Sequence, residues 1–419
     1  MTAWLVLGVV GVTLGLILAR PRGVSEAWIA LGGAGTMLLV GGVGPHELPG
    51  IVGETADVLL FVGGMMLLSG IVDRAGIFDL LAEGCARLAR GSTRRLYVLL
   101  FLLGAGITAI LSLDVTVIML TPIVHAVTRR RGLDPLPFMF ACAFVANTAS
   151  LALPVSNLTN LLLSDALDLP FGRYVELMWL PNLVALLANL AIFLWLFRER
   201  LPRCFDPLPA AGEELPRVAA PRWRGTAAGV LGLTLLGLVG CGGAGVPLWW
   251  ASLSGALVLA GLAMWQRRLT LQQAARDISW PLAVFVVGMT VLVRGVEHAW
   301  LADVRVAVPE TPGRAIMAGV LAGAFGSNVI NNVPMAVLAR PVLETLPGSE
   351  RMVLACAVLV GTNIGPALTT YGSLATMLWL TLARRRGIDV TTASYLRVSL
   401  ATVPPVLLAA AAALWVSAR

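Results

Sequence analysis

Long apolar blocks, close in length to the thickness of a lipid bilayer, constrain this chain more than any other feature. A helix needs about 20 apolar residues to cross a hydrocarbon core of about 30 Å. Hydrophobic residues make up 58% of the chain and charged residues only 13%, whereas a soluble domain carries about 25% charged residues. We therefore predict an all-α polytopic membrane protein. The clearest blocks are Trp4–Ala19, Val24–Val43, Tyr174–Phe197, Trp249–Trp265 and Ser394–Val416.

The placement of charge argues against a nucleic-acid partner and predicts an orientation. The net charge is +7 and all 30 basic residues are arginine, but most of them flank apolar blocks, as in cytoplasmic loops. Arg20 and Arg22 follow the first block, so we expect the N-terminus outside. We interpret that block as a retained helix, since no basic stretch precedes it and no cleavage signal follows. The prediction is a multi-pass protein of the bacterial cytoplasmic (inner) membrane, surrounded by lipid, with both termini outside.

Two segments are predicted to be re-entrant helical hairpins. Residues 94–130 have arginine at both ends, and the two arms of about 16 and 14 residues are short for full crossings. Two short full spans that place Asp114 outside are the alternative. A second hairpin is predicted over residues 314–346, with its polar tip at Asn328, Asn331 and Asn332.

Two other helices carry proline and small polar residues at membrane depth, which is typical of a broken helix. The first covers residues 138–167 and is predicted to break at Asn147–Thr148 and again at 154–160. The second covers residues 351–383 and is predicted to break at 362–366 and again near 369–373. In total we predict about ten transmembrane helices plus the two hairpins.

The two halves of the sequence resemble each other. FVGGMMLLSGIVDRAGIFD from Phe61 matches FVVGMTVLVRGVEHAWLAD from Phe285, an offset of 224 (285 − 61). The helix at Phe61 is predicted to run inward and the helix at Phe285 outward, so the repeats are inverted, as in alternating-access transporters. The predicted organisation is N-terminal scaffold helices (1–53), a first repeat (54–200), a cytoplasmic linker with further scaffold helices (201–278) and a second repeat (279–419).

The hairpin tips and helix breaks are expected to meet near the membrane centre and to bind the solute there. Their side chains are neutral hydrogen-bonding groups with one carboxylate, which suits a small hydroxylated solute or an oxyanion. An intramembrane acid is a functional candidate by default, so we predict that Asp114 couples transport to protons or cations. The alternative is that Asp114 caps the second hairpin arm. The candidate set is Ser112, Asp114, Thr116, Asn147, Thr148, Ser156, Asn157, Asn331, Asn332, Thr362, Asn363, Thr370 and Ser373.

Enzymatic and metal-site signatures are missing from the sequence. The five cysteines show no CxxC spacing, so neither a zinc site nor a disulfide framework is indicated. HExxH, GxSxG and P-loop motifs are also missing. We therefore expect a transporter and not an enzyme, with no bound cofactor and with the proton-motive force, through H⁺ or Na⁺, as its energy source.

Four segments carry a more specific signal: LDVTVIMLTPIV at Leu113, ANTASLALPVSNLTNLL at Ala146, INNVP at Ile330 and IGPALTTYGSLATMLWL at Ile364. Together they resemble the ArsB-type arsenite/antimonite efflux permeases of the ion transporter superfamily, and the likeness covers almost the whole chain. This resemblance implies proton-driven export of trivalent arsenic or antimony hydroxides, hence arsenical resistance.

The chain departs from that family's pattern at several positions, and two of them lie at the helix breaks. Where the family commonly has acids at the helix breaks, this chain has Asn147 and Asn363. A sodium/proton antiporter and a carrier of inorganic or dicarboxylate anions, both found in the superfamily, therefore stay open. The sequence also leaves open whether the protein acts alone, as a homodimer or docked to an arsenite-stimulated ATPase.

Overall fold

The structure, a computed structural model, describes residues 2–19, 24–205, 221–301, 309 and 311–419. Across these residues the chain is helical, and the one β-type pairing is an isolated bridge between Ser92 and Cys204. Eight of the described helices are long and apolar enough to cross a membrane, and four shorter apolar helices accompany them. The predicted all-α polytopic class is confirmed. Arg20, Arg22 and most of the linker after Pro202 lie outside the described residues.

The first half of the chain contains one broken helix and one helical hairpin. A π-helical turn (Thr116–Leu120) continues α6 into α7, and a 3-10 turn (Pro154–Ser156) precedes α9. The helices are α1 (Thr2–Ala19), α2 (Glu26–Leu39), α3 (Leu48–Arg74), α4 (Ile77–Leu88), α5 (Thr93–Ile110), α6 (Leu113–Val115), α7 (Thr121–Arg129), α8 (Pro135–Ala149), α9 (Leu158–Ala166) and α10 (Phe171–Leu196).

The second half repeats this plan. A 3-10 turn (Gly365–Leu368) interrupts its broken helix, and a π-helical turn (Glu297–Leu301) extends α14. The helices are α11 (Pro221–Ala244), α12 (Trp249–Trp265), α13 (Leu271–Asp277), α14 (Trp280–Val296), α15 (Pro312–Ile330), α16 (Asn332–Glu344), α17 (Gly348–Ile364), α18 (Leu374–Arg385) and α19 (Thr392–Ser417).

Ion pairs gather several helix ends at one face of the molecule. Arg131, just after α7, pairs with Glu83 of α4 at 2.5 Å. Arg200, after α10, pairs with Asp134 before α8 at 3.3 Å. Arg74 at the end of α3 pairs with Asp277 before α14. We call this end, where most of the described arginines lie, the arginine-rich face. The amphipathic helix α4 lies at this face.

The first hairpin is re-entrant, as predicted. It consists of α5 to α7, and both of its ends lie at the arginine-rich face beside α4. Its tip reaches the first helix break, where the Ser156 hydroxyl donates to the Ala109 carbonyl at 2.8 Å. Two full crossings, the alternative, would instead carry the tip past this break to the opposite face. The second hairpin, α15 and α16, is anchored at the opposite face, where Arg340 pairs with Glu54 near the start of α3 at 3.2 Å.

A matched pair of glycines shows that the inverted repeat is built into helix packing. Gly64 of α3 lies so close to α12 that an added Cβ would be 2.9 Å from the Leu253 nitrogen. Gly288 of α14 lies as close to α2, with an added Cβ 3.0 Å from the Ala30 carbonyl oxygen. The offset is 288 − 64 = 224, the same as that of the sequence repeat. Small residues allow this close approach of helices in a membrane.

The breaks lie within the predicted stretches, at 150–157 and 365–373, but they begin later than predicted. Asn147 and Thr148 belong to the last turn of α8, and Thr362 and Asn363 to the last turn of α17. Side chains that fold back on their own helix explain the difference: the Asn147 amide donates to the Ala143 carbonyl at 3.0 Å, and Asn363 does the same to Leu359 at 2.7 Å. Such bonds keep a polar residue inside a helix. The chain leaves the α-helix after Ala149 in the first break and after Ile364 in the second.

A similar correction applies at the second hairpin tip. Asn328 is not part of the tip but lies inside α15. The turn itself is Asn331, which has a positive φ of 78°. With a ψ of 157° this is a backbone conformation that glycine normally takes, so the reversal at Asn331 is strained.

Candidate functional site

Each broken helix restarts from a side-chain cap. The Asn157 side chain accepts from the Thr159 amide at 3.2 Å at the start of α9. The Ser373 hydroxyl accepts from the Thr376 amide at 3.2 Å at the start of α18. Both starts lie inside the protein, so the positive ends of two helix dipoles face the centre. Such ends favour anions and oxygen-rich solutes.

The two breaks are joined by a network of amides and hydroxyls that crosses between the repeats. The Asn363 carboxamide oxygen accepts from the Ser150 hydroxyl at 2.5 Å and from the Asn157 amide at 2.7 Å. The Asn363 nitrogen donates to the Asn160 carboxamide oxygen at 2.8 Å. The reciprocal contact, Ser373 to Asn147, is longer at 3.5 Å. These side chains are buried and bonded to one another. The network therefore holds the two breaks together and leaves few of its hydrogen-bonding groups free to bind a solute.

Two tyrosines satisfy the unwound backbone in the same way in each repeat. The Tyr174 hydroxyl of α10 donates to the Leu151 carbonyl at 3.2 Å, and the Tyr395 hydroxyl of α19 donates to the Ala367 carbonyl at 2.9 Å. Irregular backbone at membrane depth requires such partners. Sequence reasoning missed these residues, although their matched spacing, 395 − 174 = 221, was a usable signal.

The second hairpin tip is bonded to its own helix break. The Asn331 side chain donates to the Tyr371 carbonyl at 3.3 Å, and the Asn332 backbone amide donates to the Gly372 carbonyl at 3.2 Å. Asn328 completes the join, since its amide donates to the Gly365 carbonyl at 2.7 Å. The tip and the break of the second repeat therefore form one hydrogen-bonded unit.

The first hairpin tip is also bonded to its break, through Ser156 and Ala109, but it differs in carrying an acid, Asp114. Ser112 caps α6 by accepting from the Val115 amide at 3.4 Å, so the alternative in which Asp114 is the cap is wrong. Among the described residues, the Asp114 carboxylate has no hydrogen-bond or ion-pair partner. It lines a cavity of about 430 Å³ that reaches Arg276 and Ser279 at the arginine-rich face.

Of the remaining predicted site residues, most serve the structure around this cavity. Thr116 bonds to Thr108 at 2.7 Å, and Thr148 accepts from the Asn189 amide at 2.9 Å. Thr362 donates to its own helix, at the Leu359 carbonyl. Thr370 lies half-buried in the second break. The structure thus brings most of the candidates to the two breaks and tips, and which of them touch a solute stays a prediction.

Two inverted repeats, each with a re-entrant hairpin and a broken helix whose ends meet at a polar centre, define a multi-pass membrane transporter. Comparison with known families agrees. The chain belongs to the citrate transporter family (CitMHS), whose family model matches residues 13–361.

Relatives that match this chain over nearly its full length indicate a group within this family. The chain is 28% identical over 416 residues to the arsenical pump membrane protein of Escherichia coli strain K12, with 96% of each chain covered. It is 29% identical over 419 residues to the protein of the same name from Yersinia enterocolitica, again with 96% of each chain covered. These relatives confirm the resemblance found in the sequence motifs.

A solved structure supports the fold. The Alcanivorax borkumensis YdaH transporter, described as having an unusual topology, aligns with a TM-score of 0.59 at 14% identity. The alignment covers 87% of this chain and 86% of that one. At this identity the likeness concerns the fold alone.

Proposed function

We propose that the protein exports arsenite and antimonite, as trivalent hydroxides, from the cytoplasm at the expense of the proton-motive force. The observation that carries the proposal is the Asp114 carboxylate, which has no partner among the described residues and lines a cavity at the arginine-rich face. The full-length relatives named arsenical pump membrane proteins support the choice of solute.

Orientation follows from charge. Arginine-rich loops face the cytoplasm in inner-membrane proteins, so the cavity around Asp114 opens to the cytoplasm. A solute enters beside Ser112 and Asp114, between the first hairpin tip and α3. Both termini are then outside, as the sequence predicts.

The coupling step assigned to Asp114 is protonation. An arsenite or antimonite hydroxide is uncharged near neutral pH, so it needs no counter-charge in the site and can accept and donate hydrogen bonds. The carboxylate binds the solute when deprotonated and releases it when a proton from outside neutralises the acid. One proton then moves inward as the solute moves outward, so both the pH gradient and the membrane potential drive export.

Everted membrane vesicles test this proposal. We expect arsenite accumulation that collapses with a protonophore and that falls at least about tenfold in Asp114→Asn, since an intramembrane acid at the site carries the proton. Asp389→Asn is the matched control, because Asp389 is an exposed carboxylate outside the cavity. Normal rate and normal pH dependence in Asp114→Asn would reject the coupling role.

Other outcomes of the same assay identify the alternatives. A sodium pulse that acidifies or alkalinises the vesicles without arsenite uptake would assign the protein to the sodium/proton antiporters. Uptake of citrate or another carboxylate without arsenite uptake would fit the description of the family. Dependence on ATP in the presence of a protonophore would indicate an attached ATPase.

A further inference from the structure

Two cavities approach the middle of the protein from opposite faces. The first is the cavity of about 430 Å³ that contains Asp114. The second, also about 430 Å³, is lined by Asp57, Asp165 and Asp168 and opens at the face where α9 ends and α10 begins. We call them the Asp114 cavity and the acidic cavity.

The two cavities share two lining residues, Phe61 and Leu161. Phe61 is at the middle of α3 and 2% exposed, and Leu161 is in the first half of α9 and 7% exposed. Both side chains are apolar, so together they form an apolar layer about one side chain thick between two spaces that each contain at least one carboxylate.

Helical periodicity aligns each cavity with this layer. Asp57, Phe61 and Met65 are four residues apart on α3, so they lie on one side of that helix. Asp57 lines the acidic cavity and Met65 lines the Asp114 cavity. On α9, Leu161 and Asp165 are likewise four apart, and Asp165 lines the acidic cavity. Each helix therefore runs from one cavity to the other through the apolar layer.

The two sides of the layer differ in how firmly they are held. Phe61 is one turn from Gly64, where the backbones of α3 and α12 are in contact. Leu161 belongs to α9, the short half-helix that follows the first break. A shift of α9 relative to the close-packed α3–α12 pair would move Leu161 away from Phe61.

We propose that Phe61 and Leu161 form the permeation barrier, and that a solute leaving Asp114 passes between them into the acidic cavity. The assignment requires only that the chain transports a solute, whichever solute that is. It therefore stands or falls separately from the arsenite proposal.

Labelling of an introduced cysteine tests the barrier without any transported solute. Met66 lines the Asp114 cavity and is half-buried, so Met66→Cys, with the five native cysteines replaced by alanine, is the reporter. A membrane-impermeant thiol reagent should label it in everted vesicles and hardly at all in right-side-out vesicles. Adding Phe61→Ala or Leu161→Ala should raise labelling in right-side-out vesicles about tenfold or more, because the truncation leaves a space that connects the two cavities.

Phe285→Ala is the matched control. Phe285 is the repeat equivalent of Phe61 (61 + 224 = 285) and lines neither of the two cavities. Unchanged labelling in everted vesicles shows that each variant is folded. The barrier assignment is overturned if both truncations leave right-side-out labelling at the background rate, or if Phe285→Ala raises it equally. Intact arsenite transport alongside that result would leave the proposed function in place.

Discussion

The two inverted repeats are alike at their helix breaks and different at their hairpin tips. Each break is capped by one side chain and satisfied by one tyrosine, Tyr174 or Tyr395. Each tip is bonded to its own break, the first through Ser156 and the second through Asn331, but the first tip also presents Asp114 to a cavity. What both repeats share is needed to keep irregular backbone inside a membrane. Among the described residues, only the first repeat has an acid at its hairpin tip that faces a cavity, and there we place the coupling.

The crossed amide network offers the strongest test of how alike the breaks are. Asn363 bonds to three side chains of the first break, at 2.5–2.8 Å, and Asn147 bonds to one side chain of the second break, at 3.5 Å. Asn363→Ala should therefore lower the free energy of unfolding by about 3 kcal/mol and Asn147→Ala by about 1 kcal/mol, since the cost grows with the number of buried partners left unbonded. Unfolding of purified protein in mixed micelles measures both.

Equal losses of unfolding free energy in the two variants would mean that the two asparagines stabilise the breaks equally, just as the two caps do. A larger loss in Asn147→Ala would contradict the distances. Asn363→Asp is a useful third variant, because it keeps the acceptor for Ser150 and Asn157 but removes the donor to Asn160.

The matched glycines test the scaffold in the same way. Gly64→Ala and Gly288→Ala should each lower the free energy of unfolding by about 1–3 kcal/mol, since an added methyl would press on backbone atoms of the facing helix. Gly63→Ala is the control, because the nearest atom to its added Cβ is 4.0 Å away. Melting temperatures that fall in both variants and not in the control would confirm that the close approach is a repeated feature. A fall in one only would limit it to that repeat.

Much of this fold could be predicted from the sequence, and the reasons are physical. Apolar blocks of bilayer length predicted the crossings, and arginines at both ends predicted the first hairpin. The offset of 224 between Phe61 and Phe285 predicted the inverted repeat, and the equal roles of Gly64 and Gly288 show why those residues match.

The exact breaks and the state of each site residue could not be predicted. Asn147 and Asn363 were assigned to breaks because polar residues weaken helices, but their side chains bond to the preceding turn and keep them helical. Whether a polar group is free or satisfied depends on partners up to 226 positions away (373 − 147), as the contact between Ser373 and Asn147 shows. Composition alone could not show that Asp114 lacks a hydrogen-bond partner among the described residues, while the asparagines of that network are bonded to one another.

The ion pair at the anchor of the second hairpin should have the smallest effect. Glu54 of α3 accepts from Arg294 of α14 at 2.8 Å and from Arg340 of α16 at 3.2 Å. The Arg340 contact joins the second hairpin to α3, whereas Arg74–Asp277 at the other face joins α3 to the segment before α14. We therefore expect the Arg340–Glu54 pair to favour the conformation in which the Asp114 cavity is open.

Arg340→Gln should change stability by less than about 1 kcal/mol, because both side chains are partly exposed. A bias of that size corresponds to a shift of up to about fivefold between two conformations. Labelling of Met66→Cys in everted vesicles should slow by that factor or less in Arg340→Gln, and the difference should shrink at high salt. Arg173→Gln is the control, since Arg173 pairs with Glu176 within one helix. An unchanged labelling rate would show that the two hairpins differ in their anchoring without any effect on which cavity is open.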